Sequence, residues 1–349
     1  MFLATHMGMI RNLEIYNDRK GKGRWGKKKF EDTRNWIKMN EMYVVRGEFY
    51  LDFEFVKEWN KELKSMNKGK VGAPFLFPES FIRWLTVWHQ FVDYRGLEGI
   101  SRSITKLGLI PRYEDYTTAW HRIHKMKPEF VLPDYNDLEI GSDGSGLKTN
   151  NAGEYRIFKY GDRTKKKHVV VVITTDLKHR KLLEVDAYID GEGLGEPKTS
   201  MKHIRKLTRN GKKIKSFCGD GGFDTNDIFN MLNKLGIEPK IPVQINASSS
   251  GSGPPRRKEI RKQFNLPTGK KSHNHYFKDT EKRRRKYQKR WRTRVKHGDR
   301  WPGNEGMFSA VKRKLGENVV SRNNSNMIAE AIQRFWVYDV LCNYANKKM

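Results

Sequence analysis

Apolar positions change their spacing near residue 135. Before that point they recur at helical intervals. In "FEFVKEWNKELKSM" (53–66), Phe55, Trp59 and Leu63 fall at i, i+4 and i+8. In "PESFIRWLTVWHQFVDY" (78–94), Phe81, Trp84, Leu85, Trp88, Phe91 and Val92 share one face, and Pro78 and Glu79 suit a helix start. "GLEGISRSITKLGL" (96–109) and "DYTTAWHRIHKM" (115–126) predict two further helices, the second capped by Asp115, Thr117 or Thr118. Short helices joined by tight turns and ending in "HRIHK" fit a helix-turn-helix-like DNA-binding unit, with a plain helical bundle as the alternative.

After residue 135 the pattern becomes that of strands. "DLEIGSDGSGLKT" (137–149) predicts a strand running into a turn, followed by strands in "EYRIFKY" (154–160), "KKHVVVVITTD" (166–176) and "KLLEVDAYID" (181–190). Strand–helix–strand crossovers follow. "SMKHIRKLTRNG" (200–211) and "TNDIFNMLNKLG" (225–236) read as helices, and "KIKSFCGD" (213–220) and "IEPKIPV" (237–243) as strands. Hairpins followed by crossovers predict a mixed sheet with helices on its faces. "NASSSGSGPPRRKEIRKQF" (246–264) reads as a flexible loop, and "DTEKRRRKYQKRWRTRVKHGDRW" (279–301) could form a helix. The chain closes with helices expected in "NEGMFSAVKRKLG" (304–316), beginning just after Pro302, and "NSNMIAEAIQRFWVYDVLCNY" (324–344).

Charge narrows the partners. The chain of 349 residues carries 70 Lys and Arg against 40 Asp and Glu, a formal net charge of +30. Such an excess repels itself unless a polyanion neutralises it, so nucleic acid is the expected partner and an acidic membrane surface the second. Between residues 256 and 300 there are 19 Lys or Arg and 4 Asp or Glu, interleaved with Tyr287 and Trp291, which favours a surface that tracks phosphates. The basic, Gly-rich "GKGRWGKKKF" (21–30) reads as flexible. Two cysteines, Cys218 and Cys342, are too few for a disulfide framework or a Cys-rich zinc site and read as buried thiols in a reducing compartment. The apolar run "VVVVI" (169–173) is strand-length, so a soluble protein with no membrane partner is expected.

Three carboxylates are the candidate chemistry. Asp143 and Asp220 are each expected where a strand leaves the sheet, and Glu305 lies on a late helix. If the two strands are parallel neighbours, both aspartates emerge at one sheet edge. Each alone is more often a turn residue. Gly144, Gly146, Gly221 and Gly222 would leave room for a substrate backbone. Glu305 and Lys312 share a helix face about 10 Å apart. Carboxylates about 4 Å apart repel by roughly 4 kcal/mol at an effective dielectric near 20, a penalty that hard divalent cations remove. Two such ions suit phosphodiester chemistry. Asp176, Asp186 and Asp190 read as surface or supporting groups, Asp224 or Thr225 as a helix cap, and His203, His273 and His275 make no zinc pattern.

The segments "DGSGLKTNNAGEYR" (143–156), "CGDGGFD" (218–224) and "HGDRWPGNEGMFSAVKRKLG" (297–316), in this order, with "DYTTAWHRI" (115–123) upstream, resemble the DDE transposases of prokaryotic insertion sequences. The resemblance covers about 75–345. It implies an α/β, ribonuclease-H-like mixed sheet with flanking helices, preceded by a helical N-terminal DNA-binding region. It implies Asp143, Asp220 and Glu305 as catalytic and metal-binding triad, two Mg²⁺ ions with Mn²⁺ as a substitute, and cleavage and strand transfer of DNA. That family commonly carries Tyr, Arg, Glu and Lys in set spacing. Glu305 and Lys312 keep the last interval, whereas His297 stands in place of Tyr and four residues rather than three separate Arg300 from Glu305. Pro302 and Gly303 are expected to interrupt a helix there.

The expected organisation is a mixed basic region (1–75), the helical region (76–130), the core with two carboxylates (135–246), a flexible loop and basic DNA-contact segment (247–300), and closing helices (301–349). DNA contacts are expected from Lys312, Arg300, Lys148, Arg283, Arg284, Arg285, Trp291 and Arg122. The expected partners are double-stranded terminal inverted repeats and target DNA, bound by a homodimer, in a prokaryotic cytoplasm and on the nucleoid. The alternatives are a ribonuclease-H-like nuclease or inactive relative, and a non-enzymatic basic nucleic-acid binder.

Overall fold

The computed structural model describes residues 35–149, 168–250, 253–266 and 280–349. The segments 21–30, 154–160 and 272–275, with His273 and His275, lie outside the described residues. The chain divides into two units at Val45 and Arg46. Of the first, only residues 35–45 are described, most of them in the start of helix α1 (Trp36–Glu48).

In the second unit, α2 (Trp59–Asn67), α3 (Glu79–Trp88), α4 (Tyr94–Lys106) and α5 (Tyr116–Lys125) enclose an aromatic core. Trp59, Phe81, Trp84 and Leu85 are buried in it, with Phe55 and Leu63 packed at its margin. The expected helix at 53–66 is divided, because Glu54–Val56 forms a separate 3₁₀ turn before α2. Asp93 caps α4 by accepting from the Gly96 amide, and Asp115 caps α5 by accepting from those of Thr117 and Thr118.

The sheet contains β1 (Leu138–Thr149), β2 (His168–Asp176), β3 (Lys181–Ile189), β4 (Ile214–Cys218), β5 (Glu238–Lys240) and β6 (Asn318–Val319). Its order is β3-β2-β1-β4-β5, with β6 pairing β1. The first three strands are antiparallel, whereas β4 and β6 run parallel to β1 and β5 parallel to β4. This is the ribonuclease-H-like mixed sheet that the sequence led us to expect. The β-branched run of β2 is buried on both faces, as a central strand requires. One face packs on α10 (Arg300–Leu315) and α11 (Asn324–Lys348), through Leu147, Val171, Ile173, Val311 and Phe335. The other carries α6 (Glu196–Arg209), α7 (Asn226–Lys234) and α8 (Pro254–Phe264), through Ile140, Phe217, Ile204, Phe229 and Phe264. Helix α11 also ties the helical region to the sheet: Gln333 Nε2 donates to Ile123 O and Trp336 Nε1 to Glu129 O.

Several local expectations are corrected. β1 does not turn at Asp143 but continues to Thr149, because β2 pairs it from Ile140 to Lys148. The 246–264 segment is not a loop throughout. Its two prolines occupy the first turn of α8, where no amide donor is needed. Likewise Pro302 and Gly303 do not interrupt a helix: α10 begins at Arg300 and Pro302 sits in its first turn. Asp176 is buried, accepting from Tyr135 Oη at 2.7 Å and bonded to His179 Nδ1 at 2.6 Å. Thr225 caps α7, while Asp224 receives two bonds from the Arg256 guanidinium, each 2.7 Å.

Helix α9 (Glu281–Arg294) turns Trp291 inward, with only 2% of it exposed, so this ring anchors the helix and offers no face to a base. Trp291→Ala should lower stability by about 3–5 kcal/mol, read from the urea midpoint, with Trp291→Phe losing much less.

Glu114 is 1% exposed and accepts from Ser101 Oγ at 2.8 Å. Burial pushes its carboxyl from 4.5 up to about 7. Between those values the folded chain holds a proton that the unfolded chain has released, so this residue's contribution falls as pH rises through 7. Glu114→Gln should therefore match the parent in melting temperature near pH 4 and exceed it near pH 8 (roughly the two sides of that window).

Candidate active site

The register of β1 and β4 brings the two aspartates together. The last paired positions are Gly141 and Cys218, and Asp143 and Asp220 each stand two residues further on. Parallel neighbours are about 4.8 Å apart. β4 then leaves the sheet, while β1 runs on and meets β6 only at Lys148. Among the described residues, no strand pairs the edge of β1 between these two pairings, which leaves a notch there. Backbone groups in the notch are taken by side chains: the Gly144 amide donates to Asp143 Oδ1 at 3.0 Å, and Gly146 O accepts from Lys312 Nζ at 2.9 Å.

Asp220 remains a turn residue in its local role, its carboxylate accepting from the Gly222 amide at 2.7 Å to cap the short turn Gly221–Phe223. Glu305 arrives on α10, which lies unusually close to the sheet. A Cβ at Gly141 would stand 2.6 Å from Leu177 Cδ2 and 3.0 Å from Asn304 Nδ2, and one at Gly303 would stand 2.7 Å from Leu177 Cδ2. Asn304, fully buried, accepts from Thr175 Oγ1 at 2.6 Å and fixes the helix rotation. About two turns later Lys312 donates to Ser145 Oγ, also at 2.9 Å.

His297 has a role the sequence did not reveal. Its buried Nε2–H donates to Gly219 O at 2.9 Å, pinning the approach to α10 against the loop that carries Asp220. Burial, assisted by Arg300 and Arg292, lowers its pKa and keeps the ring neutral. Arg300 lies with Nη1 3.7 Å from Asp143 Oδ2, and its side chain is 12% exposed. Its Nε and Nη1 are buried without a hydrogen-bond partner.

Burial raises the Asp143 pKa. Arg300 and the Gly144 amide oppose this, and the charges of Asp220 and Glu305 add to it. A fourth carboxylate, Glu196, was missed from the sequence. Burial raises its pKa too, followed by the charges of Asp143 and Asp220. Its Oε1 lies 2.3 Å from where a Cβ on Gly144 would be. The space at Gly144 is therefore filled by this side chain and is not clearance for substrate.

Other expected contacts are committed elsewhere. Arg122 donates to Phe77 O and Glu79 within the helical region. Arg284 donates to Ile245 O and Ala247 O, and Arg283 lies over the Tyr287 ring. Arg285 pairs with Glu281, and Lys148 pairs with Glu317 at 2.6 Å, both exposed. Of the expected DNA contacts, Arg300 stands at Asp143 and Lys312 lies on the exposed edge of β1, at Ser145 and Gly146.

Among the described residues, no three carboxylate, histidine or cysteine side chains stand close enough to share one ion. The donor set nevertheless fits a hard divalent cation. It consists of carboxylate oxygens, half-buried at one notch, and among the described residues the guanidinium of Arg300 is the counter-charge beside Asp143.

A mixed sheet with carboxylates gathered where a parallel neighbour departs is the framework of a ribonuclease-H-like core. Residues 44–152 match one family model described as a transposase DDE domain, and residues 141–294 match a second of the same description. The chain belongs to the DDE transposases, a family of DNA-cleaving and strand-transferring enzymes that generally use divalent metal ions.

Solved structures with some likeness include a simian T-cell lymphotropic virus intasome in complex with PP2A regulatory subunit B56 gamma, at 12% identity and TM-score 0.22, covering 58% of this chain and 66% of that one. Another is a Drosophila P element transposase strand transfer complex, at 16% and 0.26, covering 52% and 41%. A third is a piggyBac transposase synaptic complex with hairpin DNA, at 10% and 0.31, covering 88% and 78%. The chain thus spans less than two thirds of the first two. At these scores the family assignment rests on the two domain models.

Arg300→Gln should raise the Asp143 pKa further, because it removes the leading influence that holds it down. Carboxyl ¹³C titration in EDTA reads this directly; an unchanged or lowered value would contradict the described ion pair.

Proposed function

We propose that this chain cleaves DNA at the ends of a transposable element and joins the freed 3′-OH to target DNA. The observation that carries this reading is the placement of Asp143, Asp220 and Glu305 around one notch in a chain of the DDE family. Asp143, Asp220 and Glu305 would hold divalent ions, Mg²⁺ or Mn²⁺. Bound there, such ions activate the attacking oxygen and stabilise the leaving 3′ oxygen.

The chain's own residues do the rest. The Nε and Nη1 of Arg300, which make no hydrogen bond, are donors for a phosphate oxygen beside Asp143. Lys312, held at the rim of the notch by Ser145 and Gly146, places a positive charge where a strand would pass. Burial lowers its pKa, and a nearby phosphate would favour the charged form. Neutral His297 positions the Asp220 loop and donates no proton to substrate in this reading. The exposed cations of α9, among them Lys282, Lys286 and Lys289, would grip the duplex outside the site. Terminal inverted repeats, a dimer on DNA and a prokaryotic cytoplasmic setting belong to the same reading. No helix among the described residues is long and apolar enough to cross a membrane.

Asp220→Asn should lose Mg²⁺-dependent end cleavage and strand transfer by at least about 100-fold, with DNA binding in a gel-shift assay retained. Cleavage at the parental rate would refute the reading.

A further inference from the structure

Glu196 is the first residue of α6, which follows Gly195, a residue with φ of 78°. This turn sends the side chain back over β1. It lies so close to Gly144 that a methyl group there would overlap Cγ, Cδ and Oε1, at 2.7, 2.4 and 2.3 Å. No hydrogen bond or ion pair to a described residue accounts for its carboxylate, although it is half-buried. A carboxylate in that position would ordinarily turn to solvent or find a donor.

The notch explains how it can share a site with groups from the other sheet face. Glu305 approaches from the α10 face and Glu196 from the α6 face. A continuous sheet would separate them. Here β4 has already departed and β6 has not yet joined, so among the described residues no strand on that side of β1 separates the two faces between Gly141 and Lys148.

We propose that Glu196 is a fourth cation-facing carboxylate of this site, acting with Asp143, Asp220 and Glu305 to bind divalent metal, and that Gly144 is glycine because the Glu196 side chain occupies its Cβ position. The proposal rests on the metal-dependent reading above. Glu196 completes the donor set from the face that the family's three carboxylates do not supply. It also gives α6 a direct part in the site that its packing role alone does not require.

The test uses Mn²⁺ and the full chain, with free Mn²⁺ followed by electron paramagnetic resonance and unfolding followed in EDTA. Glu196→Gln should bind Mn²⁺ roughly 10-fold more weakly than the parent. Without metal it should melt at the same temperature or higher, since a repelling charge has gone. Gly144→Ala keeps the carboxylate but pushes it away, and should weaken Mn²⁺ binding in the same direction. Asp143→Asn reports on the site itself. If it loses Mn²⁺ while Glu196→Gln and Gly144→Ala bind as the parent does, the role of Glu196 is overturned and the three-carboxylate reading stands. If Asp143→Asn also binds Mn²⁺ as the parent does, both fall. A Glu196→Gln protein that melts earlier in EDTA with unchanged Mn²⁺ affinity marks Glu196 as structural and overturns the proposal.

Discussion

The close seating of α10 on the sheet is the constraint on which the site depends. Gly141 and Gly303 both lack the Cβ that would strike Leu177, and the Asn304–Thr175 hydrogen bond sets the rotation of the helix in that seat. Once depth and rotation are fixed, Glu305 and Lys312 follow from the helical repeat: one meets the carboxylates, the other reaches Ser145 about 10 Å along. His297 fixes the same helix at its start by bonding to Gly219, next to Asp220. The third carboxylate is therefore placed by one contact to β2, the neighbour of the strand that carries Asp143, and one to the loop that carries Asp220. A side chain at Gly303 would displace Glu305 without touching any charged group.

Electrostatics and packing oppose each other at the notch. Burial and mutual repulsion raise the pKa values of Asp143 and Glu196, while Arg300 and a single backbone amide resist the shift at Asp143. A structural ion-pair cluster would pair each carboxylate, as Asp224 is paired with Arg256 some residues away. Here the apposed groups are mostly acids, and the one guanidinium has donors to spare. Fold stability alone gains little from such an arrangement. A bound cation would convert it from a penalty into a binding energy, which is the physical argument for the proposed metal site.

The sequence made much of this legible, for identifiable reasons. Alternating and β-branched runs located β2, β3 and β4, and the short apolar strand ending in Asp220 marked the departure from the sheet. Asp143 was expected where its strand leaves the sheet, and that local reason was wrong. Its strand does not end there; the neighbour does, and a neighbour's length is not written in the strand itself. Glu196 gave no signal because its significance comes from a residue 52 positions earlier across the sheet. Trp291, Arg122 and Arg284 looked like DNA contacts because composition records charge and aromaticity but not direction. In the fold, Trp291 points inward and the two arginines satisfy carbonyls and a carboxylate. Pro302 and the two prolines opening α8 misled as helix breakers because a first turn needs no amide donors there.

Helix α9 carries the charge argument to its last step. It is anchored by few inward groups, chiefly Gln288 and Trp291, while Lys282, Lys286, Lys289, Arg290 and Arg294 face outward. Lys282 with Lys286, Lys286 with Arg290, and Arg290 with Arg294 are like-charge neighbours one turn apart, each pair destabilising an exposed helix by a few tenths of a kcal/mol, roughly 0.2–0.5. Only Arg285 has an acid at that spacing, Glu281. The helix is thus held in place from inside against repulsion along its outer face. A phosphate backbone laid along that face would remove the repulsion and release counterions, so the net charge that weakens the free protein strengthens its complex.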